Sequence, residues 1–177
     1  MNILVLNGSP RKNGNTARLT QVFAKGAEEA GHTVTVEAVA LQDIHVCKAC
    51  EYCKIRGNGT CIQNDDMQAI YPKLMTADML VFASPIYYYT MTAQLQAALQ
   101  RTYALGQLTH IKKAALILSS GAPDMYDAVT TQYQGVIDWW GTENAGIFGV
   151  PGLIPSHDLN NTSDEWLERL YQFGKNL

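Results

Sequence analysis

Short apolar runs alternate along the chain with longer segments in which apolar residues recur at helical spacing. Runs that predict buried strands lie at residues 3–6, 33–41, 79–84, 114–119 and 145–150. Helical spacing is found over residues 16–30, 65–75, 92–105 and 128–140, and again after residue 163. The pattern therefore predicts strands and helices that alternate along the whole chain.

The predicted strands are almost uninterrupted runs of apolar residues. Strands of this kind are typical of a parallel sheet that helices cover on both faces, and right-handed crossovers leave few possible topologies. We therefore expect an α/β fold with a doubly wound, five-stranded parallel sheet. No repeat, linker or low-complexity tract divides the sequence, so we assign residues 1–177 to a single domain with a cysteine-bearing insertion at about residues 43–63.

Composition and charge exclude several classes of protein. The formal net charge is -3 and no basic stripe is present, which argues against binding to nucleic acid. No apolar run reaches the roughly 18 residues of a transmembrane helix. The N-terminal segment lacks the basic region and cleavage site of a secretory signal. We therefore expect a cytoplasmic protein that binds neither nucleic acid nor a membrane.

The first strand is joined to the first helix by a polar loop, residues 7–16. Ligands of open α/β sheets bind beyond the carboxyl ends of the strands, and the start of the following helix favours an anion. The loop supplies hydroxyls, amides and two cations, but it has neither a Gly-x-Gly-x-x-Gly pattern nor a final Gly-Lys-Ser/Thr. This composition favours a monophosphate over a triphosphate or a pyrophosphate.

Two further loops follow predicted strands and offer walls for a flat ligand. The third strand leads into Pro85, Ile86 and three consecutive tyrosines, which suit a planar and mostly apolar ring. The fourth strand leads into two serines and Gly121, where small residues let the backbone approach a ring edge. An ordinary turn at this third position is nearly as consistent with the sequence.

The four cysteines form the spacing Cys47-x2-Cys50-x2-Cys53-x7-Cys61. In a reducing compartment, such a cluster indicates a metal or redox site rather than disulfides. Four thiolates suit an iron–sulfur cluster or zinc, although zinc usually takes two separated Cys-x2-Cys pairs. Free thiols are a third possibility that the spacing leaves open.

Gly8-Ser9-Pro10-Arg11 followed by Gly14-Asn15-Thr16 resembles the phosphate loop of the NAD(P)H-dependent FMN reductase and iron–sulfur flavoprotein families. The similarity extends to about residue 121. It implies a flavodoxin-like fold with strand order 2-1-3-4-5, flavin mononucleotide (FMN) as cofactor and NAD(P)H as co-substrate. The FMN contacts that it implies are Ser9, Arg11, Asn13, Asn15, Thr16, Ser84, Pro85, Ile86, Tyr87, Tyr88, Tyr89, Ser119, Ser120 and Gly121.

The resemblance further implies that Cys47, Cys50, Cys53 and Cys61 bind a 4Fe–4S cluster. It also implies a homodimer or homotetramer, because flavin sites in these families often lie at subunit interfaces. The families usually carry a Lys and an Asp-Arg pair on the helix after the third strand. This chain has Gln96 and Gln100-Arg101 there, which puts in doubt any ion pair or partner contact that those charges make elsewhere.

We expect an FMN-dependent oxidoreductase that transfers electrons from NAD(P)H to a small acceptor such as a quinone or a flavin. The alternative is an iron–sulfur flavoprotein that carries electrons to and from ferredoxin-like redox partners. A zinc-stapled binding module without flavin is a third reading. Because bound flavin performs the chemistry, no side chain is predicted to be catalytic. The Gly- and Pro-rich residues 146–161 are expected on the substrate side.

Overall fold

A computed structural model of the chain describes residues 1–152 and 162–177. The strands within these ranges are β1 (Asn2–Asn7), β2 (Thr33–Glu37), β3 (Met79–Pro85), β4 (Lys113–Ser119) and β5 (Glu143–Val150). The α-helices are α1 (Asn15–Glu29), α2 (Tyr52–Ile55), α3 (Met67–Thr76), α4 (Ala93–Arg101), α5 (Asp127–Trp140) and α6 (Asp164–Lys175). All neighbouring strands are parallel, in the order β2-β1-β3-β4-β5. The predicted fold class and strand order are confirmed.

Three segments differ from the sequence pattern. Strand β2 ends at Glu37, and Val39–Leu41 form a 3-10 turn where the pattern had extended the strand. The side chain of Val39 is completely buried, so the chain turns inward here instead of continuing along the sheet edge. Helix α4 ends at Arg101 and continues as the 3-10 turn Thr102–Leu105. The cysteine-bearing insertion, predicted as irregular, contains the short helix α2.

The two faces of the sheet carry separate apolar cores. Alternate residues of a strand point to opposite faces, and β1 divides in this way: Leu4 and Leu6 contact the core beneath α3, α4 and α5. Ile3 and Val5 contact the core beneath α1 and α6. Both faces are therefore covered, as the uninterrupted apolar strands predicted.

Helices α1 and α6 pack closely against each other over the second core. A Cβ atom added at Gly26 of α1 would lie 2.1 Å from the backbone oxygen of Tyr171 in α6, so only glycine allows this approach. The rings of Phe23 and Phe173 stack beside it, with centroids 5.5 Å apart. The last helix is thereby fixed onto the first.

Among the described helices, none is long and apolar enough to cross a membrane. Of the Gly- and Pro-rich segment that we expected on the substrate side, residues 153–161 lie outside the described residues. The part before residue 153 forms β5 and the two residues after it.

Candidate functional site

A small cleft lies where the carboxyl ends of β1, β3 and β4 meet. Three loops form it: the phosphate loop (residues 7–16), the ring loop (residues 84–91) and the β4 loop (residues 119–126). Its volume is about 150 Å³, and it is lined by Ser9, Arg11, Gly14, Asn15, Thr16, Pro85, Ile86, Tyr87, Ser119, Ser120 and Gly121. This is the edge at which doubly wound sheets bind ligands.

The phosphate loop is folded by short local hydrogen bonds. The side-chain oxygen of Asn7 accepts from the backbone N–H of Ser9 at 2.9 Å, and the hydroxyl of Ser9 accepts from the N–H of Arg11 at 3.3 Å. The N–H of Gly14 then donates to the carbonyl of Arg11 at 3.1 Å. Helix α1 begins directly afterwards, so its first N–H groups face the cleft from a fixed position.

The electrostatics of the cleft suit an anion. Of the described residues that line it, Arg11 alone is charged. The amino end of α1 adds the partial positive charge of the helix dipole, and the hydroxyl of Ser9 adds a polar group. This donor set fits the phosphate of FMN.

The ring loop ends in a tight and strained turn. The backbone groups of Tyr87 and Thr90 exchange two hydrogen bonds, of 3.1 and 3.2 Å. The residues between them, Tyr88 and Tyr89, have φ angles of 49° and 65°. Two successive positive φ angles define a type I′ turn, for which Asn-Gly is the usual sequence. Strain of this kind costs on the order of 1–3 kcal/mol per residue and is concentrated at functional sites.

The β4 loop is joined to both other loops. The hydroxyl of Ser119 lies 2.7 Å from that of Thr16 in a buried contact, and the carbonyl of Ser119 accepts from the N–H of Ile86 at 2.8 Å. The hydroxyl of Ser120 lies 2.7 Å from that of Tyr126. Burial raises the pKa of Tyr126, so this phenol stays protonated at neutral pH.

The structure brings most of the residues implied as FMN contacts to this cleft, but not all of them. Asn13 lies in a neighbouring hollow beside Arg18. Ser84 is completely buried beneath the ring loop. Tyr88 and Tyr89 extend into solvent, and the side chain of Tyr88 is 97% exposed.

Sequence reasoning missed two residues at this site. Gly14 lines the cleft. Thr92 lies directly behind the cleft and caps α4 by accepting from the N–H of Leu95. A threonine just before a predicted helix is an N-cap signal, so the cap could have been predicted. Its contact with the phosphate loop could not, because the two segments are distant in sequence.

The cysteine-bearing insertion is held at both ends by a buried ion pair. Arg101 of α4 donates from Nη1 and Nη2 to the two carboxylate oxygens of Asp65, at 2.5 and 3.0 Å, and from Nη1 to the carbonyl of His45 at 2.9 Å. The side chains of Arg101 and Asp65 are 1% and 0% exposed. Burial alone would raise the pKa of Asp65, but the Arg101 guanidinium holds it below its ordinary value.

The backbone of Arg101 extends this buried cluster to Tyr71. The Tyr71 hydroxyl donates to the Arg101 carbonyl at 3.1 Å, and burial raises its pKa to about 12. Asp65 also accepts from the N–H of Met67 at 3.2 Å. Its larger role is the ion pair, which fixes the insertion to α4.

All four cysteines are free thiols, with Cys50 exposed and the other three half-buried. Burial raises the pKa of Cys53. Across residues 1–152 and 162–177, no three His, Cys, Asp or Glu side chains are placed to hold one metal ion. The four thiols suit an iron–sulfur cluster chemically, and we derive no electron-transfer step through such a group.

A larger cavity lies away from the cleft. It is an open, mostly apolar groove of about 790 Å³ between the insertion, α4 and α5. Tyr103 and Trp139 line it and are 43% and 54% exposed. The Tyr103 hydroxyl donates to the carboxylate of Glu51 at 3.0 Å, which raises the pKa of Tyr103. The smaller cleft is the better candidate for the ligand site, because the carboxyl ends of β1, β3 and β4, the Arg11 side chain and the amino end of α1 meet there.

The fold and the cleft define the class: a flavodoxin-like doubly wound protein with a polar loop after its first strand. Residues 1–150 match the family of NADPH-dependent FMN reductases. The chain belongs to this family, and it is a flavin-dependent oxidoreductase. The resemblance seen in the sequence is thereby confirmed.

Curated relatives carry the name iron-sulfur flavoprotein. One from Archaeoglobus fulgidus is 29% identical over 163 residues, which cover 88% of this chain and 73% of that protein. One from Methanosarcina thermophila is 33% identical over 105 residues, which cover 59% of this chain and 54% of that protein. The aligned region thus spans about half the length of the second relative.

Solved structures share the fold at low sequence identity. The NAD(P)H:quinone oxidoreductase from Methanothermobacter marburgensis superposes with a TM-score of 0.80 and 19% identity, over 99% of this chain and 95% of that one. An FMN-dependent NADH-azoreductase from Bacillus anthracis gives a TM-score of 0.69 and 15% identity, over 99% of this chain and 97% of that one. These similarities concern the fold alone.

Proposed function

We propose that the cleft binds FMN and that the protein uses it to transfer electrons from NAD(P)H to a small acceptor such as a quinone or a free flavin. The observation that carries this proposal is the convergence of three strand-end loops on one cleft, where Arg11 is the one charged side chain among the described residues that line it. We further propose that residues 1–177 act as one FMN-binding domain.

The loops divide the work of binding. Ser9, Arg11 and the amino end of α1 hold the phosphate, because they supply a hydroxyl, a guanidinium and backbone N–H groups. Pro85, Ile86 and the β4 loop hold the ring. FMN supplies the hydride and electron-transfer chemistry when it is bound, and the chain supplies binding, orientation and exclusion of water. No side chain of the cleft is assigned as an acid or a base.

The acceptor is proposed from the rim of the cleft and from the names of similar proteins. Tyr88 and Tyr89 extend from the ring loop into solvent, where they can stack on a planar acceptor. The structural neighbours include proteins named as a quinone oxidoreductase and an azoreductase, whose named substrates are planar and conjugated. These names support a quinone-type acceptor for this chain.

The test is a titration of the flavin-free protein with FMN, followed by anaerobic addition of NADPH or NADH while the flavin absorbance is recorded. Tight FMN binding and rapid bleaching by either nucleotide are expected. Arg11→Ala should weaken FMN binding by about 10- to 150-fold, since a charged hydrogen bond contributes roughly 1.5–3 kcal/mol. Lys12→Ala is the matched control, because Lys12 is an adjacent cation that does not line the cleft. A wild-type protein that binds no FMN would refute the proposal.

A second candidate function is that of an iron–sulfur flavoprotein, an electron carrier that exchanges electrons with ferredoxin-like proteins. The four-thiol donor set and the names of the curated relatives favour it. Anaerobic purification with an iron assay decides between the two. About four irons per chain would establish the 4Fe–4S cluster, whereas flavin bands without iron would leave the cysteines as thiols.

We also propose that the groove on α4 and α5 is the contact between copies in a homodimer or homotetramer. The exposed residues of α4 are alanine and glutamine, and Trp139 projects from α5. A low content of charged residues and an enrichment of aromatic residues are typical of interface cores. Trp139→Asp should lower the mass measured by light scattering, and an unchanged mass would contradict this role.

The free thiols favour a reducing compartment, for which we propose the cytoplasm.

A further inference from the structure

The phosphate loop and the ring loop are joined behind the cleft by one buried residue, Thr92. Its side-chain oxygen donates to the carbonyl of Gly8 at 2.8 Å and accepts from the N–H of Leu95 at 3.4 Å. Its own N–H donates to the hydroxyl of Ser84 at 3.0 Å. Thr92 is 1% exposed, so these bonds are made without competition from bulk water.

The contact with Gly8 is unusually close. A Cβ atom added at Gly8 would lie 2.6 Å from the hydroxyl oxygen of Thr92 and 2.6 Å from the Cβ of Leu95. The N–H of Gly8 donates to the carbonyl of Ala83 at 2.8 Å. The peptide groups of Gly8 are therefore fixed on one side by β3 and on the other by Thr92.

The same residue also fixes the ring loop. Ser84 accepts from the N–H of Thr92 and donates its hydroxyl proton to the carbonyl of Pro85 at 2.7 Å. Pro85 lines the cleft. A continuous chain of hydrogen bonds thus runs from Gly8 in the phosphate loop through Thr92 and Ser84 to Pro85 in the ring loop.

We propose that Thr92 is a positioning residue for FMN that sets the separation between the phosphate-binding and the ring-binding halves of the cleft. This inference rests on the proposed function. A ligand with a recognised group at each end binds most tightly when both subsites are held at the matching distance before it arrives. Thr92 touches neither end of the ligand in this arrangement and acts through the backbone of the two loops.

The test compares FMN with riboflavin, which has the same ring but no phosphate. The flavin-free wild-type protein and the Thr92→Val and Thr92→Ser variants are titrated with each flavin, and fluorescence quenching reports binding. Valine keeps the shape of threonine but loses the hydroxyl. We expect Thr92→Val to raise the Kd for FMN by about tenfold, the effect of about one hydrogen bond, and to change the Kd for riboflavin by less than about threefold. Thr92→Ser keeps the hydroxyl and should restore the wild-type ratio.

Thr102→Val is the matched control, because Thr102 is a buried threonine at the opposite end of α4 whose hydroxyl donates to the carbonyl of Leu99. Its ratio of the two dissociation constants should equal that of the wild type. An equal rise of both dissociation constants in Thr92→Val would mean that the substitution destabilises α4 as a whole, and it would overturn the positioning role. Unchanged constants would overturn it as well. A wild-type protein that binds neither flavin would refute the proposed function itself.

Discussion

The buried ion pair between Arg101 and Asp65 gives the sharpest prediction for stability. Arg101→Met keeps most of the side-chain volume but removes the guanidinium. The Asp65 carboxylate, whose side chain is 0% exposed, would then lose both hydrogen bonds from the Arg101 guanidinium. It would keep the N–H donors of His45 and Met67 and the His45 ring nitrogen Nδ1 at 3.6 Å. Breaking one side of such a pair costs about 3–5 kcal/mol, because it leaves a buried charge without its partner.

The measurement is urea and thermal unfolding at pH 7, with circular dichroism as the probe. For a domain of this size, about 3–5 kcal/mol corresponds to a melting temperature lower by roughly 6–20 °C. The double variant D65N/R101M removes the stranded charge and should be more stable than Arg101→Met alone. Arg56→Met is the control, since Arg56 is an exposed arginine in the cysteine-bearing insertion. It should change the free energy of unfolding by no more than about 0.5 kcal/mol.

The pH dependence follows from the sign of the pKa shift. The pKa of Asp65 is held below its ordinary value of 3.8, so the pair stabilises the wild type above about pH 4 and this contribution is lost as the pH falls through the lowered pKa. In Arg101→Met, burial without the guanidinium raises the pKa of Asp65, and protonation then relieves the penalty at low pH. The stability gap between the two proteins should therefore narrow from pH 7 to pH 4. A loss below about 1 kcal/mol at pH 7, or a gap that widens on acidification, would refute the reasoning.

Three further predictions concern the loops. Gly8→Ala should cost about 1–3 kcal/mol of stability by overpacking and should weaken FMN binding; unchanged unfolding and FMN titrations would contradict the close approach. Iodoacetamide at pH 7.5 should label Cys50 first and Cys53 last, because burial raises the pKa of Cys53; peptide mass spectrometry reports the order, and early labelling of Cys53 would count against its burial. The double change Tyr88→Asn and Tyr89→Gly should raise the unfolding midpoint by relieving strain of order 1–3 kcal/mol per residue and should raise the KM for a quinone; an unchanged KM would remove the two tyrosines from the acceptor site.

Much of the fold could be predicted because its signals are local. Uninterrupted apolar runs, such as the one that contains Leu4 and Leu6, predict the strands of the parallel sheet, and loop-forming residues mark the end of each strand. Strand β2 was predicted too long, because β-branched residues around Val39 satisfy the same pattern whether they lie in a strand or turn into the core. That choice depends on the burial of Val39 against other elements, which no local pattern records.

The site divides in the same way. The phosphate loop is one contiguous segment, so the cleft residues Ser9, Arg11, Asn15 and Thr16 could be predicted together. The link from Thr92 to Gly8 spans 84 positions, and the pair of Arg101 with Asp65 spans 36. The tyrosine turn was missed for another reason: its backbone geometry is the one that Asn-Gly normally indicates, and Tyr-Tyr gives no such signal.

The close packing of α6 on α1 also bears on how the chain folds during synthesis. Strands β1, β3 and β4 can pair, and α3 to α5 can cover one face, before residues 164–175 have left the ribosome. The opposite face, where Ile3 and Val5 lie, is only half covered by α1 until α6 arrives. An apolar surface is thus exposed on the nascent chain until α6 emerges, and that interval is when chaperone binding or misassembly is favoured.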